Sequence, residues 1–402
     1  MIKIYAKNLE DEALNQFEKA MELECNIQGA LMSDSHTGYT LPIGAVIKSK
    51  GVVFPSYVGY DIGCGMCAVN LDITKDGIDL EDIKNDIVKN IPLGREKHTK
   101  KQSIKLDSSL YDINDFTKYR IEDTGNYQIG TLGGGNHFIE IGESENDKTL
   151  WIVIHSGSRG IGYKVADYFM SLATQGSVNI EEFRKEFAIG REIFKERNHK
   201  GYEKAFKKFV EKKWEKATKN KEGHYGFDIN SELGKSYLNC MNYCLDFALE
   251  NRKTMIDKIL DSISLQKRFK VRTFINRNHN HAELKDGCII HRKGSTHAEK
   301  DMLGVIPANM KDGSFIVKGK GNKDSMCSSS HGAGRVLSRK KAKDTLDVKE
   351  FHKDMIGVVT NHTDDTLDES PKAYKNIFEV MELQKDLVEI IDRSVPILNI
   401  KG

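Results

Sequence analysis

Five side chains of the kind that hold metal ions are scattered over more than two hundred residues of this chain: Asp61, Cys64, His137, His155 and His279. Each stands in a glycine- or asparagine-rich turn beside an apolar run that reads as a strand. To act together they must be carried to one point by the ends of several strands. In mixed folds, sites gather where strands give way to loops. Five ligands exceed the need of one tetrahedral structural site. The expectation is therefore two adjacent ions, with the Cys64 thiolate between them. A carboxylate, a thiolate and imidazoles together suit manganese, iron or zinc. Paired ions typically serve phosphoryl chemistry. The residues alone point to a metal-dependent enzyme acting on phosphate esters.

The individual turns refine this. In Gly59-Tyr60-Asp61-Ile62-Gly63-Cys64-Gly65-Met66-Cys67, Asp61 and Cys64 are three apart and can converge across a tight turn. Cys64-x-x-Cys67 also has the spacing of a redox pair or half a zinc knuckle. The redox pair wants a helix start, and the zinc knuckle wants a second pair. Cys240 and Cys244 fall in a helical apolar pattern and read as core. Cys64 is thus the candidate ligand and Cys67 packing. Gly130–Ile141 runs three glycines into Asn136-His137-Phe138 and a strand. It lacks the Lys-Ser/Thr end and following helix of a nucleotide loop. His137 reads as a ligand there, with Asn136 and Glu140 offering polar contacts to a base or phosphate. Trp151–Ile154 is a short strand ending in His155-Ser156-Gly157-Ser158-Arg159-Gly160. Beyond the strand-like Val271–Ile275 come His279, Asn280, His281, Glu283, His291 and His297 as further candidates.

Ser328-Ser329-Ser330-His331-Gly332-Ala333-Gly334-Arg335 is a separate constellation. Small residues let backbone N–H groups turn toward an anion. Arg335 can offer a planar fork to phosphate oxygens, and a neutral His331 can be a nucleophile toward phosphorus. The bland alternative is a Ser/Gly surface loop. Ser33-Asp34-Ser35-His36, taken by itself, reads as a polar loop capped by Asp34.

Helices are expected at 11–24, 80–91, 347–355 and about 376–392, with a long one over Leu233–Leu260. Strands are expected at Ala45–Lys48, Val52–Phe54 and Ser314–Gly319, and 95–128 reads as loop. Residues 180–265 form a mainly helical, charged region. Its Lys204, Lys207, Lys208, Lys212, Lys213, Lys216, Lys219 and Lys221 are interleaved with Glu203, Glu211 and Glu215. That pattern reads as a solvated helix face, with peripheral RNA contact the minority reading. With 61 basic and 59 acidic residues, no global charge demands a nucleic-acid partner. No secretory signal or membrane-length apolar run is evident. Seven scattered cysteines suit reduced thiols in a cytoplasm.

Several of these stretches also resemble one family. They are Tyr60–Met66, Gly133–Phe138, His155–Gly160, His279-Asn280, His291–Gly294, Ser330–Arg335, Glu369–Lys375 and Lys401-Gly402. In this order, over almost the whole chain, they resemble the RtcB RNA ligases, the shorter bacterial members most. The resemblance implies an α+β fold: a single catalytic domain over 1–402, with mixed sheets, flanking helices and a central metal and nucleotide cleft. It implies joining of RNA 3′-phosphate or 2′,3′-cyclic phosphate ends to 5′-hydroxyl ends, with GTP and two Mn²⁺ ions. Asp61, Cys64 and His137 would hold one ion. Cys64, His155 and His279 would hold the other. His331 would carry GMP as a phosphoramidate. The nucleotide contacts implied are Asn136, Glu140, Asn280, Pro307, Met310, Ser314, Gly332, Ala333, Gly334, Arg335, Tyr374 and Lys401. Tyr374 would stack on the base, and Glu140 accepting from guanine would favour GTP over ATP. The implied partners are RNA and a helper such as archease, in RNA repair or tRNA splicing in the cytoplasm.

The chain departs from the family at Pro307-Ala308-Asn309-Met310-Lys311, where Pro-Gly-Ser-Met-Gly is usual, and at Ser33-Asp34-Ser35-His36, where Pro-Asp-Val-His is commoner. These changes bear on nucleotide preference and RNA target. Two rival readings stand beside the ligase. One is a metal-dependent phosphoesterase acting on cyclic or 3′-terminal phosphates without nucleotidyl transfer. The other is a non-catalytic RNA-binding protein using the lysine-rich region.

Overall fold

The computed structural model describes residues 1–118, 124–177, 180–197, 201–218, 223–361 and 363–402. Four strands settle where the candidate ligands go: Gly65–Leu71, Phe138–Ser144, Leu150–Ser156 and Val271–Asn278. Their apolar residues alternate between two covered faces. Cys67, Val69, Leu71, Ile139, Ile152 and Ile154 pack on one side against Met255, Ile256, Ile259 and Ile263 of the helix Glu232–Gln266. Met66, Ala68, Trp151, Val153 and Ile275 pack on the other with Val305 and Ile316. Burial on both faces is why these strands read as continuous apolar runs. Cys67 is packing, as expected, and all seven cysteines are free thiols.

The four strands are neighbours and antiparallel in an eight-stranded sheet. Phe138 pairs with His155, Met66 with His155, and Gly65 with both Ser156 and Asn278. Register therefore aligns one end of all four. His137 lies one residue before Phe138, Cys64 one before Gly65, and His279 one after Asn278. Four ligands spread along the sequence become a row along one sheet edge.

A five-stranded sheet completes the α+β arrangement: Ile2–Ile4, Asn26–His36, Ile43–Lys50, Cys288–Lys293 and Asn280–Lys285. Here the sequence expectation needs correcting. Asn26–His36 is an eleven-residue strand, and Asp34 is fully buried in it rather than capping a polar loop. Its pairing with Ile43–Lys50 is irregular between Leu31 and His36. Such bulges re-aim side chains beside sites. Ser328–Ser330 is also a buried strand, paired with Ser295–His297, and not a surface loop.

The C-terminal expectation also fails. The helix runs only over Ile377–Leu383, and Val388–Lys401 is a strand. That strand lies between Phe138–Ser144 and Ser314–Gly319 in the large sheet. Leu398 and Ile400 join the sheet core, and this burial outweighs the local helical pattern. Lys204, Lys207, Lys208, Lys212 and Lys213 lie exposed on the helix Tyr202–Thr218, whereas Lys219 and Lys221 fall outside the described residues. Among the described residues no helix is long and apolar enough to cross a membrane.

Candidate metal centre and nucleotide cleft

At the aligned strand ends, side-chain lone pairs meet. Cys64 Sγ lies 3.1 Å from His155 Nε2 and 3.5 Å from His137 Nε2. His155 Nε2 is 3.3 Å from His279 Nε2, and His137 Nε2 is 3.3 Å from Asp61 Oδ2. Two of the imidazoles are oriented from behind. His137 Nδ1 bonds the Leu132 carbonyl at 3.0 Å, and His155 Nδ1 bonds the Asn136 carbonyl at 3.1 Å. These bonds assign the ring protons to Nδ1 and leave both Nε2 atoms as acceptors. Carbonyl-oriented imidazoles of this kind are typical of metal ligands. Acceptors crowded against acceptors repel unless a cation lies among them. The donor set thus fits a divalent ion, with Cys64, His137 and His155 as its tightest group.

Electrostatics agree. Burial, then neighbouring histidines, holds His155 and His279 well below the usual imidazole range, so both rings are neutral. Burial opposes the Asp61 charge, but His137 and the Cys64 thiol outweigh it and hold the carboxyl at about 2. Burial, then the Asp61 carboxylate, pushes the Cys64 thiol up. A cation bound there would have to displace that thiol proton.

His331 adjoins this centre, its ring 4.7 Å from that of His279. Its Nδ1–H donates to Asp34 Oδ2 at 2.7 Å, and the same oxygen accepts the backbone N–H groups of His331 and Gly332 at 3.2 and 3.3 Å. The nest expected to grip a ligand's anion is thus filled in part by the chain's own carboxylate. A fully buried carboxylate needs such donors. The consequence for His331 is a fixed tautomer with its lone pair on Nε2. Gly294 makes room for the ring: its φ is +61°, and a Cβ there would lie 3.0 Å from His331 Cε1.

Two cavity lobes meet at Asn136 and His331. One, of about 610 Å³, is lined by Tyr39, Tyr60, Asp61, Cys64, His279 and Lys293 among others. The other, of about 290 Å³, is lined by Glu140, Pro307, Met310, Gly332, Arg335 and Tyr374 among others, with Lys401. Of the predicted nucleotide contacts, Asn136, Glu140, Pro307, Met310, Gly332, Ala333, Gly334, Arg335, Tyr374 and Lys401 line this second lobe. Ser314 is buried behind it, on a strand end paired with Pro307 and Ser394. Asn280 lines the first lobe instead, where its amide donates to the Asp61 carbonyl at 3.1 Å and accepts from Gly294 N–H at 2.6 Å.

The Arg335 fork is already engaged. It donates to Glu369 Oε1 at 3.1 Å and to the Asp368 and Leu337 carbonyls. Glu369 also accepts from Arg339, Tyr374 Oη and Lys401 Nζ, at 2.9, 2.6 and 2.8 Å. Burial opposes its charge, but Lys401 and Arg339 hold it near 2. In the 307–311 turn, Asn309 Oδ1 accepts the Lys311 and Asp312 N–H groups at 2.9 Å each. An Asx-turn thus closes this segment.

The sequence reading missed several supports. Asp34 was read as a loop cap, and Glu369 was noticed only as part of a motif. Asn251 and Arg252, neighbours in the long helix, went unremarked. Arg252 donates to the Gly63 and Ser156 carbonyls and to the Asn276 and Asn278 side chains at 2.7–3.0 Å. Asn251 accepts from Gly130 and Thr131 N–H and donates to the Thr131 and Gly157 carbonyls. Together they brace every ligand-bearing segment. Conversely, His281, Glu283 and His297 gather elsewhere around Arg292, and His291 accepts from Phe54 N–H.

The family model described as tRNA-splicing ligase RtcB matches residues 16–117 and 111–402. The RNA-splicing ligase RtcB of Escherichia coli is 33% identical over 401 residues, spanning 93% of this chain and 90% of that protein. The tRNA-splicing ligase RtcB of Nanoarchaeum equitans is 28% identical, spanning 100% of this chain and 94% of its own. The RNA-splicing ligase RtcB homolog 1 of Entamoeba dispar is 25% identical, spanning 100% and 84%.

Proposed function

The chain belongs to the RtcB family, and from that premise we propose that it is an RNA ligase working through a histidine–GMP intermediate. Its substrates are RNA 3′-phosphate or 2′,3′-cyclic phosphate ends, 5′-hydroxyl ends and GTP. The observation that carries this reading is His331, oriented by a buried carboxylate and adjoining a cluster of metal-type ligands. A hydrolase needs no second nucleophile beside its metal centre. A nucleotidyl transferase that works through a covalent intermediate does.

Asp61, Cys64, His137, His155 and His279 would hold manganese, which supplies charge stabilisation to the reacting phosphate. His331 Nε2 attacks the α-phosphorus of GTP while its Nδ1 keeps its proton, donated to Asp34, and pyrophosphate leaves. The RNA 3′-phosphate then takes GMP from His331, and the 5′-hydroxyl displaces GMP to seal the strand. Water first opens cyclic ends to the 3′-phosphate, breaking the bond from phosphorus to the 2′-oxygen, which leaves as a hydroxyl. Asp34 stabilises the imidazolium character that grows on His331 during attack. Glu140 sits at the base of the smaller lobe to accept guanine N–H groups, and the Glu369 hub holds Tyr374 and Lys401 beside it. We further propose that residues 1–402 act as one catalytic unit, with an archease-like helper as a partner.

Incubation with α-labelled GTP and Mn²⁺, followed by intact-mass analysis, tests this. An acid-labile GMP adduct is expected on the native chain and not on His331→Ala. Cleavage of cyclic phosphate ends without any adduct would favour the phosphoesterase reading instead.

A further inference from the structure

Beside the metal-type ligands runs a file of tyrosines that the reaction above leaves unused. Tyr60 immediately precedes Asp61, and its ring stacks on Tyr163 with centroids 5.3 Å apart and planes at 23°. Tyr39 stands edge-on to Tyr60 at 6.3 Å. Tyr39 and Tyr60 line the larger lobe together with Asp61, Cys64, His279, Lys293 and His331. Tyr163, on the helix Arg159–Ser177, carries the file outward. Tyr39 is 66% exposed and Tyr163 56%. Large aromatic rings so open to water at the mouth of a cleft are costly to leave uncovered, and rings offset in this way present faces of nucleobase size.

We propose that Tyr39, Tyr60 and Tyr163 form a stacking platform for the unpaired bases of the RNA end whose phosphate enters the metal-lined lobe. This rests on the RNA-ligase reading of the same site. Single-stranded ends are recognised by bases splayed onto aromatic side chains, with cations along the backbone. The lobe has both elements, the rings on one side and the cations Lys293 and Arg339 in its lining. Stacking is indifferent to base identity, so the platform accommodates ends of varied sequence while the phosphate chemistry sets register. The strand concerned is the one that carries the 3′-phosphate, and quenching confined to the 5′-hydroxyl oligonucleotide would overturn that assignment.

The probe is a short RNA with 2-aminopurine as its terminal base, whose fluorescence is quenched on stacking. One oligonucleotide carries it next to a 3′-phosphate and another next to a 5′-hydroxyl. The full chain with Mn²⁺ is compared with Tyr163→Leu, Tyr39→Leu and Tyr163→Trp. The two leucine variants should lose quenching and weaken binding about tenfold each, for the 3′-phosphate oligonucleotide. Tyr163→Trp should retain both. KM for RNA should rise with kcat little changed, and GMP-adduct formation should match the native chain. Exposed sites tolerate these changes, and unchanged thermal melting checks it. Native-like quenching in both leucine variants would overturn the platform and leave the rings to some other contact, such as a protein partner. An absent adduct in the native chain would sink the ligase reading alone, because quenching is read without turnover.

Discussion

Among the described residues, two clusters gather histidines with other metal-type donors, and they are built differently. At the first, the Nδ1 atoms of His137 and His155 are spent on backbone carbonyls and their Nε2 atoms converge on Cys64. At the second, His281, Glu283 and His297 surround the fully buried Arg292. Arg292 donates to Glu283 at 2.8 Å and to His281 Nε2 at 3.2 Å. The rings of His281 and His297 lie stacked, 4.8 Å apart and only 17° from parallel. In-plane lone pairs of near-parallel rings do not meet at a point. The second cluster already contains its cation, the guanidinium. Both bring histidines within reach of one another and of a third donor, Cys64 in the first and Glu283 in the second. What separates them is the guanidinium, which already donates to donors of the second cluster and has no counterpart in the first.

The sharpest way to break this comparison is to remove one donor from each. Cys64→Ala should abolish Mn²⁺ binding in calorimetry and GMP-adduct formation with it, since Cys64 faces ligands on both sides. His297→Ala should leave both within twofold of the native chain. Metal lost from the His297 variant instead would make the Arg292 cluster the true site.

A second contrast concerns histidine–carboxylate pairs. His331 donates to Asp34 at 2.7 Å with the carboxylate fully buried, whereas His297 and Glu299, 3.0 Å apart, are both partly exposed. Asp34→Asn keeps the shape but can fix the wrong tautomer and removes the compensating charge. Adduct formation should slow by about 10²–10⁴-fold with Mn²⁺ binding retained. Glu299→Gln should leave the rate unaltered.

The two buried arginines offer a third. Arg252→Met leaves four acceptors unsatisfied on the segments that carry the ligands. It should cost about 3–5 kcal/mol of stability and weaken Mn²⁺ binding about 10–100-fold, as loss of outer support does elsewhere. Arg292→Met should lower the melting temperature without touching Mn²⁺ affinity. Equal metal losses in the two variants would show that Arg252 acts only through general stability.

These contrasts also mark what could be read from the sequence. The meeting of Asp61, Cys64, His137, His155 and His279 was legible because each residue sits in a turn flanking an apolar strand, a local signal. His331 was legible because its glycines and serines are local too. Asp34 was not, since Ser-Asp-Ser-His has little strand propensity and its partner lies almost three hundred residues away. Asn251 and Arg252 were hidden by periodicity, because polar residues in a long helix ordinarily face solvent. The Val388–Lys401 strand was lost for a related reason. The short helix before it supplied a helical pattern, and only pairing in the large sheet reveals the strand.

The smallest effect expected lies in the second cavity lobe, at a carboxylate unlike Glu283. Glu283 faces a full cation, whereas Glu140 is buried among weaker donors. Burial raises Glu140 to about 7, with Ser394, Ser314, Asn399 and Lys401 pulling the other way. An ordinary glutamate titrates near 4.3, so between about pH 4.5 and 7 the native state holds an extra proton. Stability is then retained at the acid end and falls as pH rises through 7, by up to about 3 kcal/mol. Glu140→Gln should flatten that slope in denaturant melts. The same proton decides the nucleotide. Ionised, Glu140 accepts twice, which suits the N1–H and amino group of guanine. Protonated, it donates once and accepts once, which suits adenine. Each affinity should therefore change about tenfold between pH 6 and 8, GTP upward and ATP downward, so that their ratio rises about a hundredfold. Taking the ratio cancels the titration of the phosphates and of the metal ligands, which both nucleotides share. A flat ratio in the native chain, or a rise that persists in Glu140→Gln, would move guanine recognition away from this carboxylate.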